Sequence, residues 1–280
     1  MFYGNIENAI PEKNIICISP HYDDFLFFLG GYVLEMKQNN LFNTKKFINI
    51  NTFSRTNYQE RDVEGNKDTS LARIKYATGI RFIEDLQCLD ELLGRRDYVY
   101  RVMGEEESLV RGKSINEGEG EMEMAFGSYE NMEKDDFEIL ERMQNCILEL
   151  GMQKDTAIVL PLAMKSHIDH FIVREAGLKA IKELGTSANA AFYFAEDKPY
   201  AGLLNETEMQ QTMNFIKDNN LEDRAFAHHP KEELRLAFLH YPSQVDDVYN
   251  VGILGRSEQL KVIYGVNCDC DRIFKYSTIL

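Results

Sequence analysis

The sequence has no long apolar segment and relatively few basic residues. No apolar run approaches the roughly 20 residues of a membrane-spanning helix, so no membrane span is predicted. Lysine and arginine number 31 against 46 aspartates and glutamates, which gives a net charge of −15. A surface with this charge repels polyphosphates. We therefore expect neither nucleic acids nor anionic membranes as partners.

Cysteine is also scarce, with five scattered residues, and this odd number excludes the disulfide framework of a small secreted protein. Cys17 lies inside an apolar run and is expected to be a core residue. Cys268 and Cys270 stand closer together than the usual zinc-binding cysteine pair. The N-terminal segment has no basic region followed by a long apolar core, so no secretory signal is expected and a cytoplasmic location is predicted.

The order of apolar patterns along the chain predicts an α/β fold. Short runs typical of buried strands occur at 14–19, 47–52, 82–86, 156–162 and 190–194. Helical spacing of apolar residues occurs between and after them, at 25–39, 68–78, 137–150, 167–184 and 206–217. This alternation predicts a Rossmann-like, mostly parallel sheet with helices on both faces. No repeat or linker stands out, so residues 1–280 are expected to form a single domain. The sequence is also compatible with assembly of this domain into a homo-oligomer.

Two glycine-containing stretches depart from this pattern. Gly30 and Gly31 lie inside the first predicted helix, where glycine costs about 1 kcal/mol per residue relative to alanine. Their presence indicates a close approach of the helix backbone to the sheet or to the site. Residues 104–134 are charged and poor in β-branched residues, which predicts a flexible insertion, either a lid over the active-site face or a solvated loop.

Two clusters of imidazole and carboxylate groups each follow a predicted buried strand. The first cluster comes after the run 15–20 and the second after the run 157–162. The six residues are His21, Asp23, Asp24, His167, Asp169 and His170. In open α/β sheets, ligands bind outside the carboxyl ends of the strands, so we expect the clusters to converge on one metal ion. Alone, the first cluster would be as well explained by Asp24 capping the next helix.

The number and kind of these groups match a catalytic zinc site. Such a site has three protein ligands and leaves a position for water, and two histidines with one aspartate meet that requirement. The remaining carboxylate can then act as a general base, and the remaining histidine can donate to a developing oxyanion. Asp169 is expected to orient its neighbouring histidine.

The motifs carrying these residues resemble those of a known family. Pro20-His21-Tyr22-Asp23-Asp24, followed by Gly30-Gly31 and later by His167-Ile168-Asp169-His170, is similar to the motifs of the PIG-L (LmbE-like) zinc-dependent deacetylases. Their first motif runs Pro-His-Pro-Asp-Asp-Glu and is followed by Gly-Gly, and their second is His-Pro-Asp-His. Further echoes are Leu89-Asp90, Glu196-Asp197-Lys198-Pro199-Tyr200 and Tyr241-Pro242-Ser243-Gln244.

The resemblance implies a Rossmann-like fold and removal of acetyl groups from N-acetylglucosaminyl compounds and related small molecules. It makes His21, Asp24 and His170 the ligands of Zn²⁺. It makes Asp23 the general base, and His167 the imidazolium that stabilises the tetrahedral intermediate and protonates the leaving amine. Five further residues are candidate substrate contacts, each equally well explained as a surface or packing residue: Arg55, Arg73, Tyr193, Tyr200 and Tyr241.

Some positions depart from the family motifs. Tyr22 and Ile168 replace motif prolines, and Phe25 replaces the motif glutamate, which removes a carboxylate from the surroundings of the metal. The Arg-x-x-Glu pattern usual in the family around residues 67–73 is not matched there.

The sequence therefore predicts a zinc-dependent hydrolase that removes an N-acetyl, or other N-acyl, group from a small amino-sugar-like molecule. One alternative is an amidase acting on a non-sugar acylated natural product, its pocket reshaped by Tyr22 and Phe25. Another is a non-catalytic binding module that retains the fold.

Overall fold

The computed structural model describes residues 1–95, 97–113, 117–118, 121–122 and 127–277. Its strands are β1 (Asn14–Ser19), β2 (Lys46–Asn51), β3 (Tyr98–Val102), β4 (Glu117–Gly118), β5 (Glu121–Met122), β6 (Thr156–Pro161), β7 (Ala191–Ala195), β8 (Leu221–Ala227) and β9 (Cys270–Tyr276). Its α-helices are α1 (Asp24–Gln38), α2 (Val63–Asn66), α3 (Leu71–Leu93), α4 (Lys134–Gly151), α5 (Ile168–Leu184), α6 (Glu206–Asp218), α7 (Pro230–His240) and α8 (Asp247–Tyr264).

Seven of the strands form one sheet in the order β3-β2-β1-β6-β7-β9-β8. The five from β3 to β7 pair in parallel, and β9 pairs antiparallel with both of its neighbours. The predicted α/β fold with a mostly parallel sheet is confirmed. The chain leaves β1 towards β2 on one side, and β6 lies on the other, so the crevice where α/β sheets bind ligands opens at the ends of β1 and β6.

Helices cover both faces of the sheet, because side chains of the central strand alternate between two cores. Ile15 and Cys17 of β1 point into a core that includes side chains of α1, α3 and α7. Ile16 and Ile18 point into the opposite core, which includes side chains of α4 and α5. No described helix is long and apolar enough to cross a membrane.

The strand predicted at 82–86 is wrong, because these residues lie within α3. The third strand is instead β3, at the edge of the sheet, where Val99 and Val102 are exposed. A short apolar run fits a strand and a helix equally well, and here the helix continues until Leu92 and Leu93 are buried in the core.

Gly31 confirms the predicted close approach of the first helix to the sheet. A Cβ atom at Gly31 would lie 2.6 Å from Asp271 Oδ2, on β9, and 2.8 Å from His228 Cδ2. We expect Gly31→Ala to destabilise the protein by about 1–3 kcal/mol, as overpacking usually does. Thermal unfolding measures this.

Gly79, within α3, provides the matched control, because a Cβ atom there would meet nothing within 4 Å. Gly79→Ala should therefore raise stability, by about 1 kcal/mol from helix propensity alone. Equal melting temperatures for the two variants would contradict the packing described for Gly31.

Candidate metal centre

The two predicted clusters meet in the crevice between β1 and β6. His21 lies in the turn after β1, and Asp24 is the first residue of α1. His170 lies in the first turn of α5, after the loop that follows β6. The helix-capping explanation of Asp24 does not apply, because Asp23 occupies the N-cap position and makes no side-chain capping bond.

Three ligand atoms form a compact triangle. His21 Nδ1 lies 3.7 Å from Asp24 Oδ2, His170 Nε2 lies 3.5 Å from Asp24 Oδ2, and the two nitrogens are 3.2 Å apart. Metal bonds of about 2.0–2.2 Å at tetrahedral angles would separate such atoms by about 3.3–3.6 Å. The three side chains therefore fit a single tetrahedral metal ion.

Carboxylates occupy the other nitrogen of each histidine. His21 Nε2 lies 3.0 Å from Asp169 Oδ2, and His170 Nδ1 lies 2.5 Å from Asp197 Oδ1. When each neutral ring donates its proton to its carboxylate, both remaining lone pairs point into the triangle beside Asp24. Such convergence of electron pairs calls for a cation, and carboxylate–histidine–metal arrangements of this kind are the rule in proteins.

The orienting role predicted for Asp169 differs in one respect from the contacts observed. Asp169 contacts His21, on the other strand end, whereas its neighbour His170 is held by Asp197. Burial raises the pKa of Asp169, but Arg111 and His21 outweigh burial and lower it, so the carboxylate is ionised. Arg111 Nη2 donates to Asp169 Oδ1 at 2.8 Å.

The buried triangle also has perturbed acidities. Burial lowers the pKa of His170, but Asp24 and Asp197 outweigh it and raise it to about 9. Burial raises the pKa of Asp24 to about 6, against the opposing effect of His170 and His21. Protons and a metal ion therefore compete for the same three atoms, as is usual in metal sites.

His167 stands beside the triangle as a hydrogen-bond donor. It is the N-cap of α5, and its Nδ1 accepts a hydrogen bond of 3.1 Å from the backbone N–H of Asp169. Burial lowers its pKa well below the usual value, so the ring is neutral and carries its proton on Nε2. Nitrogens of His21, His167 and His170 all lie within 4.8 Å of one another. We favour Asp24 as the third ligand, because Nδ1 of His167 already accepts a hydrogen bond from the backbone and its Nε2 carries the proton.

Asp23 also lines the cavity. Its Oδ2 is 3.5 Å from the hydroxyl of Tyr249, and its Oδ1 is 3.7 Å from Arg81 Nη2. Arg81 is buried and donates to Glu107 at 2.6 Å, and Glu107 in turn lies 3.6 Å from His21 Nε2. Asp23 therefore lines the cavity beside a cationic side chain, where its carboxylate is available as a proton acceptor.

Four residues that support the site were missed as site residues from the sequence: Arg81, Glu107, Arg111 and Asp197. Arg81 begins an Arg-x-x-Glu pattern with Glu84 on α3. This pattern lies more than a helical turn after residues 67–73, where the family motif was expected. Glu107 and Arg111 lie in the stretch 104–134, whose composition gave no sign of a buried role. Asp197 was noted only as part of a motif echo.

Among the predicted substrate contacts, the structure brings Tyr200 to the site. It lines the cavity of about 610 Å³ that is also lined by His21, Asp24 and His170. Tyr193 and Tyr241 instead lie in the core, where their hydroxyls donate to Glu12 and Asp85.

The two predicted arginine contacts also lie outside the cavity wall. Arg55 is half exposed and forms an ion pair of 2.9 Å with Glu106. Arg73 is buried and forms an ion pair of 2.6 Å with Asp62.

The first residues of the predicted insertion at 104–134 contribute directly to the cavity. Glu107, Ser108 and Leu109 line the cavity, and Lys113 is buried against Asp136 at 3.0 Å. Residues 114–116, 119–120 and 123–126 of the predicted flexible segment lie outside the described part of the chain.

A second group of side chains has the composition of a metal site. His228, Glu233 and Asp271 are buried with ligand atoms within 4.8 Å of one another. The ammonium of Lys198 already lies among them, 2.8 Å from both Glu233 and Asp271. A protein cation therefore fills the position that a metal ion would take.

Comparisons with known proteins agree with this arrangement at the level of the fold. No family model and no curated protein sequence matches the chain. A solved deacetylase of teicoplanin biosynthesis, in complex with teicoplanin, is 17% identical, with a TM-score of 0.62 over 94% of this chain and 97% of its own. The deacetylase of the A40926 pseudoaglycone, also 17% identical, has a TM-score of 0.58 over 96% and 99%. The N,N'-diacetylchitobiose deacetylase from Pyrococcus horikoshii is 13% identical, with a TM-score of 0.52 over 97% and 86%.

The chain therefore shares its fold with these solved deacetylases along nearly its whole length. The fold expected from the motif resemblance is confirmed.

Proposed function

We propose that the protein is a zinc-dependent deacetylase that hydrolyses the N-acetyl, or another N-acyl, group of a small amino-sugar-like molecule. The observation that carries the proposal is the triangle of His21 Nδ1, Asp24 Oδ2 and His170 Nε2, with edges of 3.2–3.7 Å. Supporting it, structural neighbours include a deacetylase of teicoplanin biosynthesis and an N,N'-diacetylchitobiose deacetylase.

His21, Asp24 and His170 would hold the zinc ion, with Asp169 and Asp197 fixing the two rings. Bound zinc would polarise the amide carbonyl and make water acidic enough to ionise near neutral pH. Asp23 takes the proton of the attacking water, because it lines the cavity directly beside the ligand Asp24 in the sequence. The other carboxylates of the wall, Glu60, Glu107 and Asp246, accept hydrogen bonds from Tyr58, Arg81 and Val248.

His167 donates its Nε2 proton in a hydrogen bond to the oxyanion that develops on the carbonyl oxygen. As its ring is neutral and its Nδ1 accepts from the backbone, it is poorly suited to give that proton up. The proton that the leaving amine needs is therefore returned by Asp23, whose carboxyl group has just received one. This assigns to Asp23 the proton delivery that the motif resemblance had placed on His167.

Acetate release tests the proposal. Zinc-loaded protein should release acetate from at least one member of a panel of N-acetylglucosamine conjugates, and a chelator should abolish the activity. Stoichiometric zinc without acetate release from any sugar would refute the sugar assignment. Absence of both zinc binding and activity would favour the non-catalytic module.

The size of the cavity favours a second candidate, an amidase acting on a larger acylated natural product. The cavity of about 610 Å³ exceeds what one monosaccharide needs, and Val63, Leu203 and Val248 give its wall apolar surface. Tyr22 and Phe25 do not contribute, since both are buried and lie outside the cavity wall. Mass spectrometry of a mixture of acylated amines and acetylated sugars separates the two substrates.

A cytoplasmic location is part of the proposal. All five cysteines are unpaired, as a reducing compartment requires.

A substitution at Asp197 tests whether its carboxylate orients His170 for zinc binding. We expect Asp197→Asn to weaken zinc affinity by about 10–100-fold, because the amide cannot hold His170 as a carboxylate does. Competition with a chromogenic chelator measures the affinity. Asp218→Asn, an exposed change on α6, is the control, and equal affinities for the two variants would count against the orienting role.

A further inference from the structure

The turn between β6 and α5 contains an unusual concentration of left-handed backbone. Ala163, Lys165 and Ser166 have φ values of 57°, 55° and 53°. A side chain with a Cβ atom disfavours this region, which glycine tolerates. The other described non-glycine residues with positive φ are Asn40, Asp155 and Asn220, whose side-chain type adopts this conformation most readily. The turn is therefore strained where the site is built.

Packing and hydrogen bonds impose this conformation. Met164 is buried, and its backbone N–H donates to Asp197 Oδ2 at 2.8 Å, so the carboxylate that holds His170 also holds the turn. On the other side, the carbonyl of Ser166 accepts from the N–H of Gly127 at 2.5 Å. The outcome is that Lys165, an exposed residue, lines the cavity two residues before His167.

Lys165 also differs from the other charged side chains of the cavity wall. Those side chains have protein partners or ligand roles: Arg81 with Glu107 and Asp23, Lys198 with Glu233 and Asp271, Glu60 with the Tyr58 hydroxyl, Asp246 with the Val248 N–H, and Asp24 in the metal triangle. Within the described ranges, no hydrogen bond or ion pair joins the ammonium of Lys165. Strain that persists in a native structure is typical of a functional constraint, and here it places in the cavity a cation that has no partner among the described residues.

We infer that Lys165 is a specificity residue whose ammonium binds an anionic group, a phosphate or a carboxylate, on the N-acylated substrate. This inference rests on the proposed function and deepens it. The substrate class is then an acylated amino sugar, or a similar amine, that carries a negative charge. An ion pair with such a group would form only in the complex, and it would offset the strain of the turn there.

The test compares neutral and anionic substrates that share one acyl group. The probes are N-acetylglucosamine, its 1-phosphate, its 6-phosphate and N-acetylmuramic acid, with zinc-loaded protein. We expect wild type to have a KM about tenfold lower for at least one anionic probe than for the neutral sugar, roughly what one charge-assisted contact contributes. Preference for a phosphate or for the carboxylate identifies the anion.

Variants of Lys165 assign that preference. Lys165→Met should abolish it, and Lys165→Arg should retain most of it. The inference is overturned if wild type prefers no anionic probe, or if the preference survives in Lys165→Met.

A second readout separates the strain from the charge. Lys165→Gly removes the charge and the strain at residue 165, while Ala163 and Ser166 keep their left-handed conformation, so it should raise the melting temperature by about 2 °C and abolish the preference. Lys165→Met keeps the strain and should not raise the melting temperature. Asn40→Gly, in a left-handed turn at the far end of α1, is the control and should leave the preference unchanged. A lower melting temperature for Lys165→Gly would overturn the argument from strain.

Calorimetry makes this test independent of turnover. If none of the four probes releases acetate, the sugar assignment fails. Titration of the same phosphates and of N-acetylmuramic acid into wild type and Lys165→Met then still decides the role of Lys165. Tighter binding to wild type supports it, and equal or absent binding overturns it.

Discussion

Replacing His170 with alanine is expected to abolish stoichiometric zinc binding. His170 Nε2 is one of three ligand atoms, 3.2 Å from His21 Nδ1 and 3.5 Å from Asp24 Oδ2. With that nitrogen removed, two protein ligands remain, fewer than the three that catalytic zinc sites use. Metal content after dialysis against a defined zinc buffer measures the loss, which should exceed that of any other single change discussed here.

His167→Ala is the matched control, because it removes the same side chain from the same end of α5. It should keep zinc and lose about 10²–10³-fold in turnover, as expected when an oxyanion donor is removed. Both variants must retain the circular dichroism of the wild type. If His167→Ala lost zinc while His170→Ala kept it, the roles of the two histidines would be reversed.

Replacing Asp23 with asparagine is expected to leave zinc bound and to lower turnover by about 10²–10⁴-fold, the usual contribution of a general base. Asparagine keeps the shape of the side chain but cannot accept a proton. Acetate release under saturating substrate, together with zinc content, measures both expectations.

Asp24→Asn is the companion variant, since it makes the same chemical change on the neighbouring residue. It should weaken zinc binding strongly, because Asp24 Oδ2 lies in the ligand triangle. An Asp23→Asn protein without zinc, beside an Asp24→Asn protein that retains it, would show that the two aspartates exchange roles.

Part of this arrangement follows from the sequence alone. Apolar runs alternating with helical spacing predict a parallel sheet, because each buried strand needs a covering helix to return the chain. The carboxyl ends of parallel strands lie at one edge of the sheet, so residues near 21 and near 170 fall at the same edge once both runs are strands. They meet because β1 and β6 are neighbours in the sheet. The meeting of the two clusters is therefore predictable from two short motifs, although about 150 residues separate them. Which two histidines and which aspartate would bind the metal was implied only by the resemblance to the deacetylase motifs.

Short apolar runs show where such reasoning stops. The five residues 82–86 are too few for their apolar pattern to distinguish a helix from a strand. Only the packing of α3 against the core decides that they are helical.

Tertiary structure alone decided which partner each site residue has. Asp169 orients His21 rather than its neighbour, and Asp197 reaches His170 from the end of β7. Arg81 reaches Asp23 from α3, and the sequence does not indicate which residue of that helix faces the end of the first strand. Sequence patterns report which face of an element is buried, whereas a hydrogen bond between distant elements depends on how those elements pack. The strained turn at Lys165 follows from the same cause, because its conformation is set by contacts with Asp197 and Gly127 and not by local residue preference.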